Sequence, residues 1–172
     1  MIKSKFSIKD LENLSGIKSH TIRIWEKRYD LLEPDRTDTN IRSYDLSSLC
    51  KILNVSYLKN AGIKISTIAS LTTDEIETQV RKLAIRNNKN DLAVQELKLA
   101  MINFDQFMFQ RVYDSVLKEV GFSGVFYDLF IPFLEELGYL WQSKTINIAH
   151  EHFISHLIKQ KVLVNLEKVQ YQ

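Results

Sequence analysis

The strongest constraint on this chain is a short stretch near its N-terminus that has the period of an amphipathic helix. Its apolar residues Trp25 and Tyr29 stand three and seven positions after Ile22, which places all three on one face of a helix. Arg23 and Lys27 stand four apart and share a different face. An ordinary surface helix has the same pattern, so the interpretation depends on the flanking sequence.

The preceding residues predict a second helix at close spacing. Ser7 is predicted to cap a helix that runs to Leu14, and Gly16 is suited to the left-handed conformation of a tight helix end. Ser19 is then predicted to cap the helix described above. A helix, a short glycine-containing turn and a second helix have the spacing of a helix-turn-helix.

The following residues predict a small β-hairpin, or wing. Pro34 is predicted to stop the second helix, and residues 38–40 are predicted to form a turn between two short extended pieces. This hairpin would carry Arg36 and Arg42 toward whatever the second helix contacts.

Further helices complete this half of the chain. Asp45 is predicted to cap a third helix that ends at Gly62, and a short fourth helix is predicted from Ile65 to Leu71. A polar junction then predicts a boundary between a first domain of residues 1–72 and a second domain of residues 73–172.

The charge of the chain is unevenly distributed. The formal net charge is +2, but residues 1–64 hold twelve Lys and Arg against eight Asp and Glu, and residues 65–172 hold eleven against thirteen. Cys50 is the only cysteine, which excludes an internal disulfide and favours the reducing cytoplasm. No apolar run has the roughly eighteen residues of a membrane span, and the N-terminus lacks the pattern of a signal peptide.

Taken in order, these stretches resemble the winged helix-turn-helix of the MerR family of bacterial transcription regulators. The matching stretches are Phe6–Ile8, Leu14–Gly16, Thr21–Glu26, Arg28–Pro34, Ile41–Tyr44 and Leu58–Ile68. The resemblance implies a second helix in the major groove of double-stranded DNA, a wing on the flanking phosphates, and a dimer or higher oligomer on a palindromic operator. One departure is Thr39-Asn40, where many members have a glycine at the wing tip; asparagine also tolerates a positive φ.

The resemblance also implies DNA contacts. We expect the groove-facing side to consist of His20, Thr21, Arg23 and Lys27, and the phosphate contacts of Arg28, Arg36, Arg42 and Tyr44. For each of these residues an ordinary solvated surface position is the alternative. Trp25 and Tyr29 are expected to pack in the core.

The second half of the chain predicts an all-helical bundle. Eight of the nine phenylalanines lie at or after Phe104. Wide apolar faces predict helices over residues 104–120, 124–141 and 147–169, after two shorter helices that begin near Thr73 and Asp91. The predicted fold class is therefore mainly α, with a winged helix-turn-helix followed by a helical bundle.

This half resembles the four-helix cap that precedes cobalamin-binding domains in one branch of the MerR family. The matching residues are Phe104-Asp105, Pro132, Leu134, Gly138, Trp141, Ile148-Ala149, Glu151-His152-Phe153 and Ser155. The resemblance implies that Trp141, Glu151 and His152 lie over the upper face of the cofactor. Two departures are Lys144, at a place usually held by glycine, and Tyr139, at a place often acidic.

The cobalt-ligating part of such a site is missing from the sequence. Members of that branch carry a following α/β domain with an Asp-x-His-x-x-Gly loop, and this chain has no such motif before Gln172. We therefore expect either a longer form of the protein or a natural short form. The chain alone is expected to hold no cofactor, with cobalamin as the cofactor of a longer form.

Catalysis and metal binding find little support. No nucleophile–base pair or phosphate-binding glycine loop is present, so an enzyme is not expected. His152 and His156 are four apart and suit one edge of a zinc site, with His150 nearby, but no third ligand is evident. Cys50 is expected to pack against apolar residues.

The sequence thus supports a cytoplasmic DNA-binding transcription regulator with a helical effector-sensing domain. The alternative is a ligand-sensor or oligomerisation module whose winged helix mediates protein contacts. Steep dependence of binding on salt distinguishes DNA binding from this alternative, because phosphate neutralisation releases counterions.

Overall fold

Helices dominate the chain, as the periodicity predicted. The computed structural model describes residues 4–36, 40–86 and 90–169. These residues form two units, an N-terminal unit up to Arg86 and a C-terminal unit from Asn90. The predicted fold class is confirmed: a helix-turn-helix with a two-stranded wing, followed by a helical bundle.

The N-terminal unit is built from five helices and one hairpin within the described residues. Its elements are α1 (Ile8–Ser15), α2 (Ser19–Tyr29), β1 (Asp35–Arg36), β2 (Arg42–Ser43), α3 (Leu46–Asn60), α4 (Ile65–Ala69) and α5 (Thr73–Arg86). Helix α1 packs against α2 and α3, and α3 packs against α4 and α5. The wing strands are antiparallel, with Asp35 opposite Ser43 and Arg36 opposite Arg42.

Two of the predicted helix starts are confirmed. The Ser7 side chain accepts a hydrogen bond from the Asp10 N–H, and the Asp10 carboxylate accepts one from the Ser7 N–H, a reciprocal capping box. Asp45 caps α3 by accepting from the Ser48 N–H. Gly16 ends α1 with φ 75°, the left-handed conformation that favours glycine.

The predicted end of α2 is wrong. This helix ends at Tyr29, and Asp30 follows with φ 48°, so the left-handed residue rather than Pro34 terminates it. Of the predicted wing-tip turn, Asn40 has φ 60° as its side-chain type allows, while residues 38 and 39 lie outside the described residues.

The predicted cap of α2 is also wrong. Ser19 is the first residue of the helix, and it is held by a carboxylate from α1: Glu12 accepts hydrogen bonds from the Ser19 N–H at 3.1 Å and from its hydroxyl at 2.6 Å. Lys9 and Lys18 form ion pairs with the same carboxylate. The Ser19 hydroxyl, assisted by the two lysines, lowers the pKa of Glu12 to about 2.

The boundary between the units lies later than the predicted division after residue 72. Helix α5 packs against α3 and so belongs to the N-terminal unit. The physical reason is its buried pair Ile76 and Val80, four positions apart on the face that covers α3. The break in helical pattern after Arg86, rather than the polar junction before α5, marks the division.

A buried carboxylate ties the wing to α2. Glu26 is 9% exposed and accepts hydrogen bonds from Arg42 Nε at 3.0 Å and from the Tyr44 hydroxyl at 2.5 Å. Burial, followed by the adjacent Glu26, raises the pKa of Tyr44. Tyr44 also pairs through its backbone with Phe6, so the N-terminus, the wing and α2 meet at one point.

The C-terminal unit is a bundle built around α6. Its elements are α6 (Asn90–Asn103), α7 (Gln106–Gly124), a π-helical segment (Val125–Phe130), α8 (Ile131–Gln142) and α9 (Ile148–Val169). Helix α6 packs against α7, the π-helical segment, α8 and α9. The predicted break between residues 120 and 124 corresponds to a kink at Gly121, whose φ of 69° and ψ of 179° are not helical.

A tight corner joins α6 to α7 and supports the start of α9. Phe104 adopts φ 53°, a conformation that costs a non-glycine residue about 1–2 kcal/mol. Its ring stacks on His150 at 4.8 Å between ring centroids and meets Phe153 edge-on at 5.3 Å. The strained residue therefore holds the first turns of α9 against the bundle.

We predict that Glu12→Gln lowers stability in a pH-dependent way. The folded-state pKa of Glu12, about 2, lies below its usual value of 4.5, so its contribution is fully present above pH 4.5 and is lost as pH falls toward 2. The variant should lose about 1 kcal/mol at pH 7, allowing for solvent screening, and the difference should shrink between pH 4.5 and 2. Urea unfolding at several pH values measures it, with the exposed Glu33→Gln as control; a pH-independent difference would contradict the assignment.

We predict that Arg42→Ala destabilises the N-terminal unit, because it leaves the buried Glu26 with one partner fewer. The free energy of unfolding should fall by about 1–2 kcal/mol. The matched variant Arg36→Ala, also in the wing but exposed, should change it by less than about 0.5 kcal/mol. Equal unfolding free energies for the two variants in chemical denaturation would refute the role of Arg42 as a tether.

Candidate nucleic-acid interface and cofactor-facing surface

The outward face of α2 is cationic. Ile22, Trp25 and Glu26 point inward and are buried. The four basic or imidazole side chains of the helix are all exposed: His20, Arg23, Lys27 and Arg28. Because the single acidic residue within α2 is the inward-facing Glu26, no carboxylate of the helix itself offsets this charge. A short helix with such a face is suited to base edges and phosphates in a major groove.

The remaining predicted residues of α2 lie close to this face. Thr21 is half-buried, and its hydroxyl lies 3.3 Å from His20 Nε2. The guanidinium of Arg28 lies over the ring of the half-buried Tyr29, 5.3 Å from its centroid.

Of the three wing residues expected to contact phosphates, one has an exposed side chain. Arg36 is exposed and donates to Asn40 Oδ1 at 2.6 Å, which holds the two sides of the hairpin tip together. Tyr44 is 1% exposed and its hydroxyl donates to Glu26, so its prediction as a phosphate contact is wrong. Arg42 is half-buried and paired with Glu26, so the structure assigns it a tethering role.

Glu26 is the residue that the sequence reasoning missed. A signal was present, since Glu26 stands four positions after Ile22 and next to Trp25, on the apolar face of the helix. A carboxylate in that position must be hydrogen-bonded when it is buried. The pattern alone did not show that its partners lie about eighteen residues later, in the wing.

The second candidate surface is an exposed apolar stripe on α8. Leu134 and Trp141 are 36% and 47% exposed and are separated by seven residues, two helical turns. Gly138 lies between them on the same side, and a Cβ added there would meet nothing within 4 Å. Tyr127 and Ile131 extend the stripe toward the π-helical segment. A glycine inside a helix with open space before it leaves room for close approach of a flat ligand.

The polar part of this candidate surface lies on the first turns of α9. Glu151 Oε2 is 3.4 Å from His152 Nε2, and Glu151 Oε1 accepts a hydrogen bond from the Ser155 hydroxyl at 2.8 Å. His152 is largely exposed, whereas Glu151 is half-buried. Trp141 is the second-last residue of α8 and Glu151 is the fourth of α9, so a five-residue connection separates the two elements.

This connection is shaped by two specific residues. Lys144 has φ 56°, which agrees with the preference for glycine at this place in the family it resembles. Asn147 caps α9, since its Oδ1 accepts from the N–H groups of Ala149 and His150. The Asn147 N–H in turn donates to His150 Nδ1 at 3.3 Å, so the buried His150 serves the cap.

A shallow cleft of about 540 Å³ lies between α7 and α9. Its lining consists of Gln106, Ala149, His152, Phe153, His156, Leu157 and Gln160. Of the three predicted cofactor residues, His152 lines it, while Trp141 and Glu151 do not. The three residues flank the connection between α8 and α9 in the sequence, but they do not share this cleft.

Neither metal binding nor thiol chemistry finds support in the part of the chain that the structure describes. Among residues 4–36, 40–86 and 90–169, no group of three or more His, Cys, Asp or Glu side chains is placed to hold a metal ion. Cys50 is half-buried, and this burial raises the pKa of its thiol.

Over the described ranges, none of the helices has the length and apolar content required to cross a membrane.

Two protein-family models match the chain in succession. Residues 6–75 match the MerR HTH family regulatory protein model, which covers the region from the Phe6 bridge to the first turn of α5. Residues 93–164 match the B12 binding domain model, which covers most of the C-terminal unit.

Two relatives are similar over most of this chain, and a third is similar over less than half of it. The HTH-type transcriptional repressor CarH of Myxococcus xanthus is 26% identical over 169 residues, 95% of this chain and 56% of CarH. The repressor CarA of the same organism is 24% identical over 90% of this chain and 50% of CarA. The regulator MlrA of Escherichia coli K12 is 29% identical over 70 residues, 41% of this chain and 29% of MlrA.

The chain spans about half the length of the two relatives that match both of its units. The order of the two matches agrees with the winged helix-turn-helix and the helical bundle of the structure. The chain therefore carries a domain of the MerR helix-turn-helix family over residues 6–75, followed by a helical domain of the B12-binding type over residues 93–164.

Proposed function

We propose that this protein regulates transcription by binding double-stranded DNA through α2 and the wing. The observation that carries the proposal is the outward face of α2, on which His20, Arg23, Lys27 and Arg28 are exposed while Glu26 is buried. The match to the MerR family and the names of the relatives support it. A cytoplasmic protein that binds a palindromic operator as a dimer is the form we propose.

The fixed position of the wing supports the same proposal. A recognition helix and a wing contact one DNA site only when their relative position is defined before binding, since ordering them on the DNA would reduce affinity. Glu26 joins both elements through Arg42 and Tyr44. The protein-contact alternative has no comparable feature, because a cationic helix face by itself specifies no protein partner.

We further propose that the stripe on α8 and the Glu151–His152 pair cover one face of cobalamin. The match to the B12 binding domain supports this, as does the open space before Gly138 next to the exposed ring of Trp141. Cobalamin presents a large flat ring with polar amide edges, and an indole, a carboxylate and an imidazole suit the ring and its edges.

We predict that Arg23→Ala weakens binding to a selected DNA duplex and relaxes its base preference. The loss should be about 1–3 kcal/mol, or about 5- to 150-fold in Kd, because arginine donates two hydrogen bonds to guanine in the major groove. Fluorescence anisotropy with a duplex selected from a random library, and with its shuffled sequence, measures both effects. Arg81→Ala, on the exposed face of α5, is the control.

Salt dependence tests the proposal as a whole. For the wild type, log Kd should rise with log salt concentration by about one unit per phosphate contacted. Binding that is absent, or independent of salt, would contradict DNA binding and favour the role in protein contacts.

We predict that Gly138→Ala has opposite effects on stability and on cobalamin binding. Alanine favours a helix by up to about 1 kcal/mol over glycine, and its Cβ meets no neighbour, so the thermal midpoint should rise. The same methyl group would occupy space next to the corrin ring, so aquocobalamin should be bound at least about tenfold more weakly.

Equilibrium dialysis of the protein as its native cell produces it, together with thermal unfolding by circular dichroism, measures the two effects. Lys118→Ala, at an exposed position of α7, is the control and should retain the affinity for cobalamin. Unchanged affinity in Gly138→Ala would exclude this face of α8 from the cofactor site.

A further inference from the structure

Two large apolar side chains stand out in the N-terminal unit because they are exposed. Ile24 is 52% exposed and Ile41 is 62% exposed, and among the side chains described in residues 4–36 and 40–83 no other large apolar one is as exposed. One lies on α2 and the other in the wing. These two most exposed apolar side chains thus lie on the two elements proposed to contact DNA.

Ile24 lies at the centre of the cationic face. His20 and Arg28 are one turn before and after it, and Thr21 and Lys27 are three positions away on either side. An isoleucine in this position gains nothing from the surrounding charges, and its β-branched side chain favours a helix less than alanine or lysine does. Its packing in the folded chain therefore does not account for it.

Among the groups on the floor of the DNA major groove, one is apolar. Thymine presents a C5-methyl group beside hydrogen-bonding edges, whereas guanine and adenine present acceptors and donors that suit arginine, lysine and amides. A face that combines one exposed aliphatic side chain with surrounding cations matches a base sequence in which a thymine is flanked by guanines or phosphates.

We propose that Ile24 is a specificity-determining residue that reads the C5-methyl group of thymine. The proposal rests on the proposed function, since it requires α2 to enter the major groove. Contact between the side chain and the methyl group removes both apolar surfaces from water. Cytosine and uracil lack this methyl group and so lose the contact.

Ile41 provides an internal comparison. It is the same residue type at a similar exposure, but it belongs to the wing, which is proposed to lie over flanking backbone where no thymine methyl is presented. Its contribution to DNA binding should therefore be insensitive to removal of methyl groups from the bases.

The experiment combines protein and DNA changes in one cycle. A duplex is selected from a random library with the full chain, and a second duplex is made with every thymine replaced by deoxyuridine, which deletes the methyl groups alone. The wild type, Ile24→Ala and Ile41→Ala are titrated with both duplexes by fluorescence anisotropy. Circular dichroism verifies folding, which Ile24→Ala should retain because the side chain is half exposed and alanine favours helices.

The wild type should bind the deoxyuridine duplex about fourfold more weakly for each methyl group contacted. Ile24→Ala should bind both duplexes equally, within about twofold, while Ile41→Ala should keep the full sensitivity of the wild type. Equal losses for the wild type and Ile24→Ala on the deoxyuridine duplex would overturn the role of Ile24. Failure to select any duplex would overturn the proposed function and this inference with it.

Discussion

The arrangement of the N-terminal unit depends on the buried carboxylate of Glu26. A charge at 9% exposure is tolerated only when hydrogen bonds replace the lost water, and here Arg42 and Tyr44 supply them. Both donors come from the end of the wing, so satisfying the carboxylate fixes the hairpin against α2. The same interaction turns the one acidic residue of α2 away from solvent, which leaves the outer face of the helix cationic.

The helices of this unit were largely predictable because their signals are local. Ser7, Gly16 and Asp45 act within one helical turn of themselves, and the apolar period identifies the buried faces. The errors concern contacts between distant residues. Ser19 was expected to cap its own helix, but Glu12 of the preceding helix accepts the hydrogen bond from the Ser19 N–H. Tyr44 was expected on the surface, but it is buried through its hydrogen bond to the distant Glu26. A period identifies a face but not the partner that covers it.

In the C-terminal unit the helices were predicted from the sequence, but the arrangement of the expected cofactor residues was predicted only in part. Gly121 and the helix boundaries near 148 follow from glycine and capping patterns. Trp141 and Glu151 lie outside the cleft that His152 lines. This arrangement depends on the path of the five-residue connection between α8 and α9, in which Lys144 takes a left-handed conformation and Asn147 caps α9. Phe104 likewise takes a conformation that its residue type disfavours, held by its contacts with His150 and Phe153. Tertiary packing sets these backbone conformations, and the conformational preferences of single residue types do not predict them.

The candidate surfaces of the two units share a physical property. Ile24, Gly138 and Trp141 each occupy a position where the folded chain gains little from the residue present: an aliphatic side chain among cations, a glycine inside a helix, and a half-exposed indole. Glu12 and Ser19, by contrast, satisfy each other through internal hydrogen bonds. A residue that does not suit its local surroundings, and that has no internal contact to compensate, is expected to contribute to the free energy of binding a partner instead of the free energy of folding. This argument supports the two proposals made above, that the face of α2 meets a hydrogen-bonding groove containing a methyl group and that the stripe on α8 meets a flat ring.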